Sequence, residues 1–399
     1  MSRHLIIILL VAFALRLALG LAHPFIFDDS ADYLTLGHAI ATGHDYCTAG
    51  GLYASRMPGY PVLIAGVELI FGNGPIALHA LMALQAILGA ATCYLVYRLA
   101  RPMSKSIAIL AALLAALDPL SIAFSGAVLT ETPFTFLLLL ALLMVQQSPK
   151  ICSLVRTWPL LALTLAGAIY LRASFLPLAF IMLLTPLRTH LAGSPKRPLW
   201  PIATTPSLLL LLLLPWIVHN HLRPETRDVR LTSIEGISLY ESVYPAADGS
   251  PKQDKIRLPA DMQNLNEGQR NGEWSRRAWH EIMTHPAHVL ALVPIKIART
   301  WSPWINAEGY RQPLAQVLLT LWHIPLYALA LASLVVPHLR KKLNVSILLP
   351  VFYFTMLHAL FLGSVRYRVP LMPLVDILAA IALAELLQKG SKPQLDQRV

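Results

Sequence analysis

Residues 5–33 read LIIILLVAFALRLALGLAHPFIFDDSADY. Positions 5–22 are apolar except for Arg16, and at about 1.5 Å per residue they are long enough to cross the hydrocarbon core of a bilayer as one helix. The run stops at His23 and Pro24, and three aspartates follow at once: Asp28, Asp29 and Asp32. A short basic start (Arg3, His4) and the small residues Gly20 and Ala22 also fit a cleavable signal peptide. Arg16 inside the apolar stretch and its full spanning length point instead to an uncleaved first span.

Working outward, such runs recur down the chain. Of 399 residues, 56% are hydrophobic and 13% charged, with a mean hydropathy of +0.58, which excludes a soluble enzyme of this size. The expected fold is an all-α polytopic membrane protein of about ten transmembrane helices, near 5–22, 75–97, 105–123, 132–147, 157–173, 174–187, 199–217, 312–337, 345–362 and 369–387. Cys47, Cys93 and Cys152 form no C-x-x-C, so neither a disulfide framework nor a zinc knuckle is expected.

The formal charge of +11 would suggest nucleic acid in a soluble protein, but its distribution gives another answer. Fifteen basic residues lie on alternate flanks: Arg3; Arg98, Arg101 and Lys105; Lys150 and Arg156; Arg188, Lys196 and Arg197; Arg340, Lys341 and Lys342; Lys389, Lys392 and Arg398. By the positive-inside rule these face the cytoplasm, giving N-in, C-in topology and no nucleic-acid partner. The outer face then receives the first loop (23–74), turns near 124–131, 172 and 363–368, and the polar region from 218. The chain divides into an N-terminal membrane module (1–217), a small extracytoplasmic subdomain (218–311) and a C-terminal membrane module (312–399). The stretch 218–310 balances 11 basic against 11 acidic residues; 267–284 is expected to be helical and 286–300 to be an apolar helix lying on or dipping into the membrane.

Several outward residues could carry chemistry. If 29–42 is helical, Asp29, Asp32 and Tyr33 share a face. Crowded carboxylates would raise one pKa and suit it to proton abstraction; a solvated acidic helix start explains the same residues. Arg56, beside Pro58, Gly59 and Tyr60, sits at headgroup depth, either to grip a phosphate or to snorkel. Glu131, next to Pro133 at a span mouth, is a functional acid or a helix-start carboxylate. Arg16, Arg172, Arg366 and Arg368 fall at outer span ends against the positive-inside trend, which suggests an outward anion site. His280 and His285 are one residue too far apart for H-E-x-x-H, and no phosphate loop, nucleophile elbow or dinucleotide fingerprint occurs. His79 and His358 lie in apolar runs and read as packing residues.

The order of these segments resembles the GT-C superfamily of glycosyltransferases that use polyprenyl-phosphate sugars: protein O-mannosyltransferases, lipid A aminoarabinose transferases and lipopolysaccharide-core glycosyltransferases. Asp29-Ser-Ala-Asp-Tyr33 is similar to its D-x-x-x-Y, Arg56-Met-Pro58-Gly-Tyr60-Pro61 to its R-x-P-G-Y-P, and Thr130-Glu131-Thr-Pro133 to the acidic motif of its second outer turn. Leu171-Arg172, Pro215-Trp216-Ile-Val-His219-Asn220, Glu235-Gly236-Ile-Ser-Leu239-Tyr240-Glu241, His285-Pro286 with Lys296 and Arg299, and Arg366-Tyr-Arg368-Val-Pro370-Leu-Met-Pro373 continue the match in order. His219, Ser238, Glu241 and Ser30 depart from it, the last by leaving Asp29 without a neighbouring second acid on its C-terminal side.

The resemblance implies transfer of a sugar from a polyprenyl-phosphate donor to a glycan, lipid or protein acceptor, at the outer face of a bacterial inner membrane and with inversion. It assigns Asp29 as general base and Glu131 as a second acid, the two being the candidate ligands of any divalent metal. Arg56, Arg366, Arg368 and Lys296 would bind the lipid phosphate, supported by Asp32, Tyr33, Tyr60 and Arg172, with membrane lipid around the isoprenoid tail. A flippase for lipid-linked sugars, or a glycan polymerase or ligase, is the alternative.

Overall fold

The computed structural model describes residues 2–147, 154–191, 200–252, 255–306 and 312–390. Lys150, Lys196, Arg197, Lys392 and Arg398 of the basic flanks, Asp254 and Glu308 of the polar region, and Cys152 lie outside these residues. In chain order the helices are α1 (Arg3–Ala22), α2 (Asp28–Thr42), α3 (Gly59–Phe71), α4 (Pro75–Ala100), α5 (Lys105–Leu117), α6 (Pro119–Ser125), α7 (Glu131–Gln147), α8 (Leu154–Leu171) and α9 (Leu176–Leu191). They continue with α10 (Trp200–Leu222), α11 (Glu235–Val243), α12 (Glu267–Thr284), α13 (Pro286–Thr300), α14 (Pro313–Val335), α15 (Pro337–Arg340), α16 (Val345–Leu360), α17 (Val365–Arg368) and α18 (Met372–Gly390).

Each expected span overlaps a helix, and the one near 105–123 is broken at Asp118. By length and composition α1, α4, α10, α14 and the continuous stretch Val365–Lys389 could each cross a membrane unaided, and α5 with α6, bent by 55°, makes a sixth. The other expected spans fall on the shorter apolar helices α7, α8, α9 and α16. The bend has a local cause. Asp118 accepts from the Leu120 and Ser121 N–H groups at 3.4 and 3.1 Å, and Pro119 occupies the first position of α6, so one helix stops and another starts at that residue.

α18 runs through the middle of the bundle between α5 and α14. Its Ala379, Ala380 and Ala382 are buried, as are Ala108, Ala111, Ala112, Ala115 and Ala116 on one face of α5. Small side chains let the backbones approach closely, which replaces the hydrophobic drive that lipid cannot supply. Leu10, Leu69, Ile70, Leu211 and Leu321 are exposed, as lipid-facing residues of a membrane protein are.

Three connections bring the outer segments together. Residues 23–27 pair with 126–128 through Phe25 N–H to Gly126 O (2.8 Å) and Val128 N–H to Phe25 O (3.1 Å), which sets the start of α2 beside the start of α7. Tyr60 donates its hydroxyl to Gln85 (3.2 Å), whose amide donates to Ser125 O and Ala127 O (3.2 and 2.8 Å), fixing the same turn from below. Glu267, at the start of α12, accepts from the Tyr53 and Ala54 N–H groups (2.7 and 3.0 Å) and from the Ser233 hydroxyl, clamping the Arg56 loop to the segment before α11. α12 and α13 coincide with the two helices read in the polar region; α3 and α11 were not foreseen.

Candidate active site

At the mouths of α2, α7 and α18 six charged side chains alternate in sign. Arg56 donates to Asp32 (Nε, 3.1 Å) and to Asp29 Oδ1 (Nη2, 2.5 Å). Arg366 donates from Nη1 to Asp29 Oδ2 and from Nε to Glu131 Oε1. Arg172 donates to the same Glu131 oxygen (2.6 Å) and to the Thr130 hydroxyl (3.3 Å). Three arginines thus balance three carboxylates, and Glu131 is fully buried behind them. Arg56 also lies over the ring of Tyr33, 5.7 Å from its centroid, and Arg172 over Phe134 at 5.3 Å.

This chain opens into a cavity of about 660 Å3 lined by Asp29, Tyr33, Arg56, Arg172 and Arg366 at its charged part. Leu171, Leu176, Pro177, Leu210, Leu213 and Ile217 form an apolar wall, and Thr232, Glu235 and Ser238 come from the polar segment around α11. His358, read from sequence as packing, also lines it, with its ring stacked on Tyr367 at 4.0 Å between centroids. Arginines at one place and aliphatic side chains beside them suit an anion carrying an apolar tail.

The geometry corrects several expectations. Crowding does not raise the Asp29 pKa. Burial alone would push it up, but the charges and hydrogen bonds of Arg366 and Arg56 outweigh burial and hold the carboxyl at about 2. Arg368 does not join the cluster. It is fully buried, donates to Ser302 O, and lies over Tyr327 at 5.6 Å. Lys296, also fully buried, donates to Leu360 O (3.0 Å) and does not line the cavity. Arg16 is inside the bundle, donating to Ala115 O (2.9 Å) and Ala116 O (3.1 Å) at the C-terminal end of α5. Tyr60 and Asp32 support from behind rather than line the space. Nor do Asp29 and Glu131 fit a divalent cation as arranged. Both Asp29 oxygens and one of Glu131 face arginines, and among the described residues no three His, Cys, Asp or Glu side chains come together to hold a metal.

Glu267 and Glu235 were missed by sequence reading. Glu267 acts across more than 200 residues on two backbone N–H groups, a contact that no spacing announces. Glu235 stood inside a quoted motif but carried no charge pattern to mark it.

Residues 55–219 match the model of the dolichyl-phosphate-mannose-protein mannosyltransferase family. No curated protein matches the chain in sequence. Among solved structures it is similar to the archaeal oligosaccharyltransferase AglB from Archaeoglobus fulgidus in complex with an inhibitory peptide and a dolichol-phosphate, with TM-score 0.55 and 15% identity over 99% of this chain and 52% of that one. The same organism's oligosaccharyltransferase tethered with an acceptor peptide containing the NVT sequon gives TM-score 0.55 and 14% identity over 97% of this chain and 49% of that one. Its apo form gives 0.54 and 13% over 96% and 51%. The chain therefore spans about half the length of these structures. The protein is thus a helical membrane protein whose fold is similar to the GT-C fold of these oligosaccharyltransferases, and its residues 55–219 match the dolichyl-phosphate-mannose-protein mannosyltransferase family model.

Proposed function

We propose that the protein transfers a sugar from a polyprenyl-phosphate donor to an acceptor hydroxyl, with inversion, on the outer face of a bacterial inner membrane in which both termini are cytoplasmic. The observation that carries this reading is the arginine–carboxylate chain opening into a cavity with an aliphatic wall. Arg366, Arg56 and Arg172 grip the donor phosphate, and their positive charge stabilises the negative charge that grows on it as the glycosidic bond breaks. Leu176, Pro177, Leu210, Leu213 and Ile217 hold the first isoprene units. Asp29 and Glu131 hold the three guanidinium groups in place before the donor arrives, so little reorganisation is left for the reaction itself.

The test uses purified full-length protein with a panel of radiolabelled polyprenyl-phosphate sugars and membranes of the producing strain as acceptor source. The expected result is release of free polyprenyl phosphate with label moving to the acceptor. Translocation of intact donor across proteoliposomes without release would establish a flippase instead.

A further inference from the structure

Four aromatic rings stand behind the arginines of the cavity in one column. Tyr367, next to Arg366 on α17, lies flat against His358 of α16, with centroids 4.0 Å apart and planes 2° from parallel. One turn earlier on α16, Phe354 lies near-parallel to His358 at 6.3 Å and meets Phe134 of α7 edge-on at 5.8 Å. Phe134 is the ring beneath Arg172. The column therefore runs from the neighbour of Arg366 to the ring under Arg172, and both arginines donate to the same oxygen of Glu131.

Resting on the transferase reading above, we propose that His358 is a positioning residue for donor binding, which aims Arg366 by holding the ring of Tyr367. α17 has four residues, too few to keep a shape alone, so its rotation about its own axis is fixed from outside. Arg368 anchors its end at Ser302 O, and the stack on Tyr367 is the contact beside Arg366. Successive residues stand about 100° apart around a helix, so a fixed Tyr367 ring fixes where Arg366 points. A guanidinium already aimed loses less freedom when a phosphate binds.

The other half of the stack is itself held. Phe134 and Phe354 are buried, and Tyr353 donates its hydroxyl to Ser174 O (2.7 Å), tying α16 to the segment after Arg172. Lys296, expected from sequence to meet the phosphate, instead donates to the carbonyl of Leu360, the last residue of α16 (3.0 Å), and closes that helix end. Neither nitrogen of His358 reaches a side-chain partner among the described residues, so what the ring offers is its flat face. Aromatic pairs prefer defined geometries, whereas an aliphatic side chain fills similar space without orienting its neighbour.

The experiment measures equilibrium binding of polyprenyl phosphate to the purified full chain for His358→Phe, His358→Leu, Arg366→Ala and the double variant of the last two, with thermal unfolding as the fold control. Phenylalanine keeps the stack and should bind within about twofold of wild type. Leucine removes it and should weaken binding about 3- to 30-fold, within the range for residues coupled by direct contact. In the double variant the leucine should add about twofold or less to the loss from Arg366→Ala, because the arginine it acts through is already gone. Tyr367→Leu breaks the stack from its other side and should match His358→Leu, so the test stands even if one of the two does not fold. Wild-type affinity in folded His358→Leu, a loss in His358→Phe as large as in His358→Leu, or losses that multiply in the double variant would each overturn the inference and leave the transferase reading standing. Wild type that does not bind polyprenyl phosphate would defeat that reading and this inference with it.

Discussion

Arg366→Ala removes a side chain that touches both Asp29 and Glu131. After the change Asp29 keeps Arg56 at 2.5 Å, and the fully buried Glu131 keeps Arg172 at 2.6 Å. The site thus loses one of three guanidinium groups without leaving a buried carboxylate alone, and the fold should survive with a lowered melting temperature. A donor phosphate would lose one charge-assisted hydrogen-bonding partner, about 1.5–3 kcal/mol. At about 1.4 kcal/mol per decade, affinity for polyprenyl phosphate should fall about 10- to 150-fold. Arg366→Lys keeps the charge but not the planar fork, and should fall between. The assay is equilibrium binding of polyprenyl phosphate to purified protein, with thermal unfolding of each variant as the fold control. A folded Arg366→Ala protein that binds the lipid as tightly as wild type would refute the assignment of this cluster to the phosphate.

Three further outcomes follow from the same geometry. Asp29 has a folded pKa of about 2 against an ordinary 3.8, so its pairing stabilises the protein above about pH 4 and that contribution fades as pH falls toward 2; Asp29→Asn should cost about 2 kcal/mol near pH 7 and progressively less in acid, as read from unfolding at several pH values. Arg368→Gln should lower the melting temperature while leaving polyprenyl-phosphate affinity unchanged, since Arg368 bonds backbone carbonyls away from the cavity; a matching loss of affinity would contradict its placement. Gly236→Ala would set a methyl group 2.1 Å from Asn271 O, forcing α11 off α12 at a cost of about 1–3 kcal/mol and displacing Glu235, which protease sensitivity of the 235–243 segment would report.

The apolar helices were legible because hydrophobicity is a property of composition; five of them, or six with the bent pair, are long and apolar enough to cross a membrane, and the other expected spans fall on shorter apolar helices. Of the site, Asp29, Glu131, Arg56, Arg172 and Arg366 stood out as charged residues at span ends, and they do converge. The protonation state of Asp29 was not legible, because it depends on Arg366, 337 positions away in the chain. Arg16 carried the same signal as Arg172 and went elsewhere, because the end of α5 offers it unsatisfied carbonyls inside the bundle.

Arg366 and Arg368 show where the division falls. That both are arginines at the mouth of a span, and that the chain is rich in apolar helices, follows from residue type and local pattern. Two positions apart on α17, they cannot share a helix face, and only the packing of α17 against its neighbours decided that Arg366 meets the carboxylates while Arg368 turns toward Ser302. A buried charge must find a partner wherever packing leaves it, so the tertiary structure alone selected which arginines face the cavity.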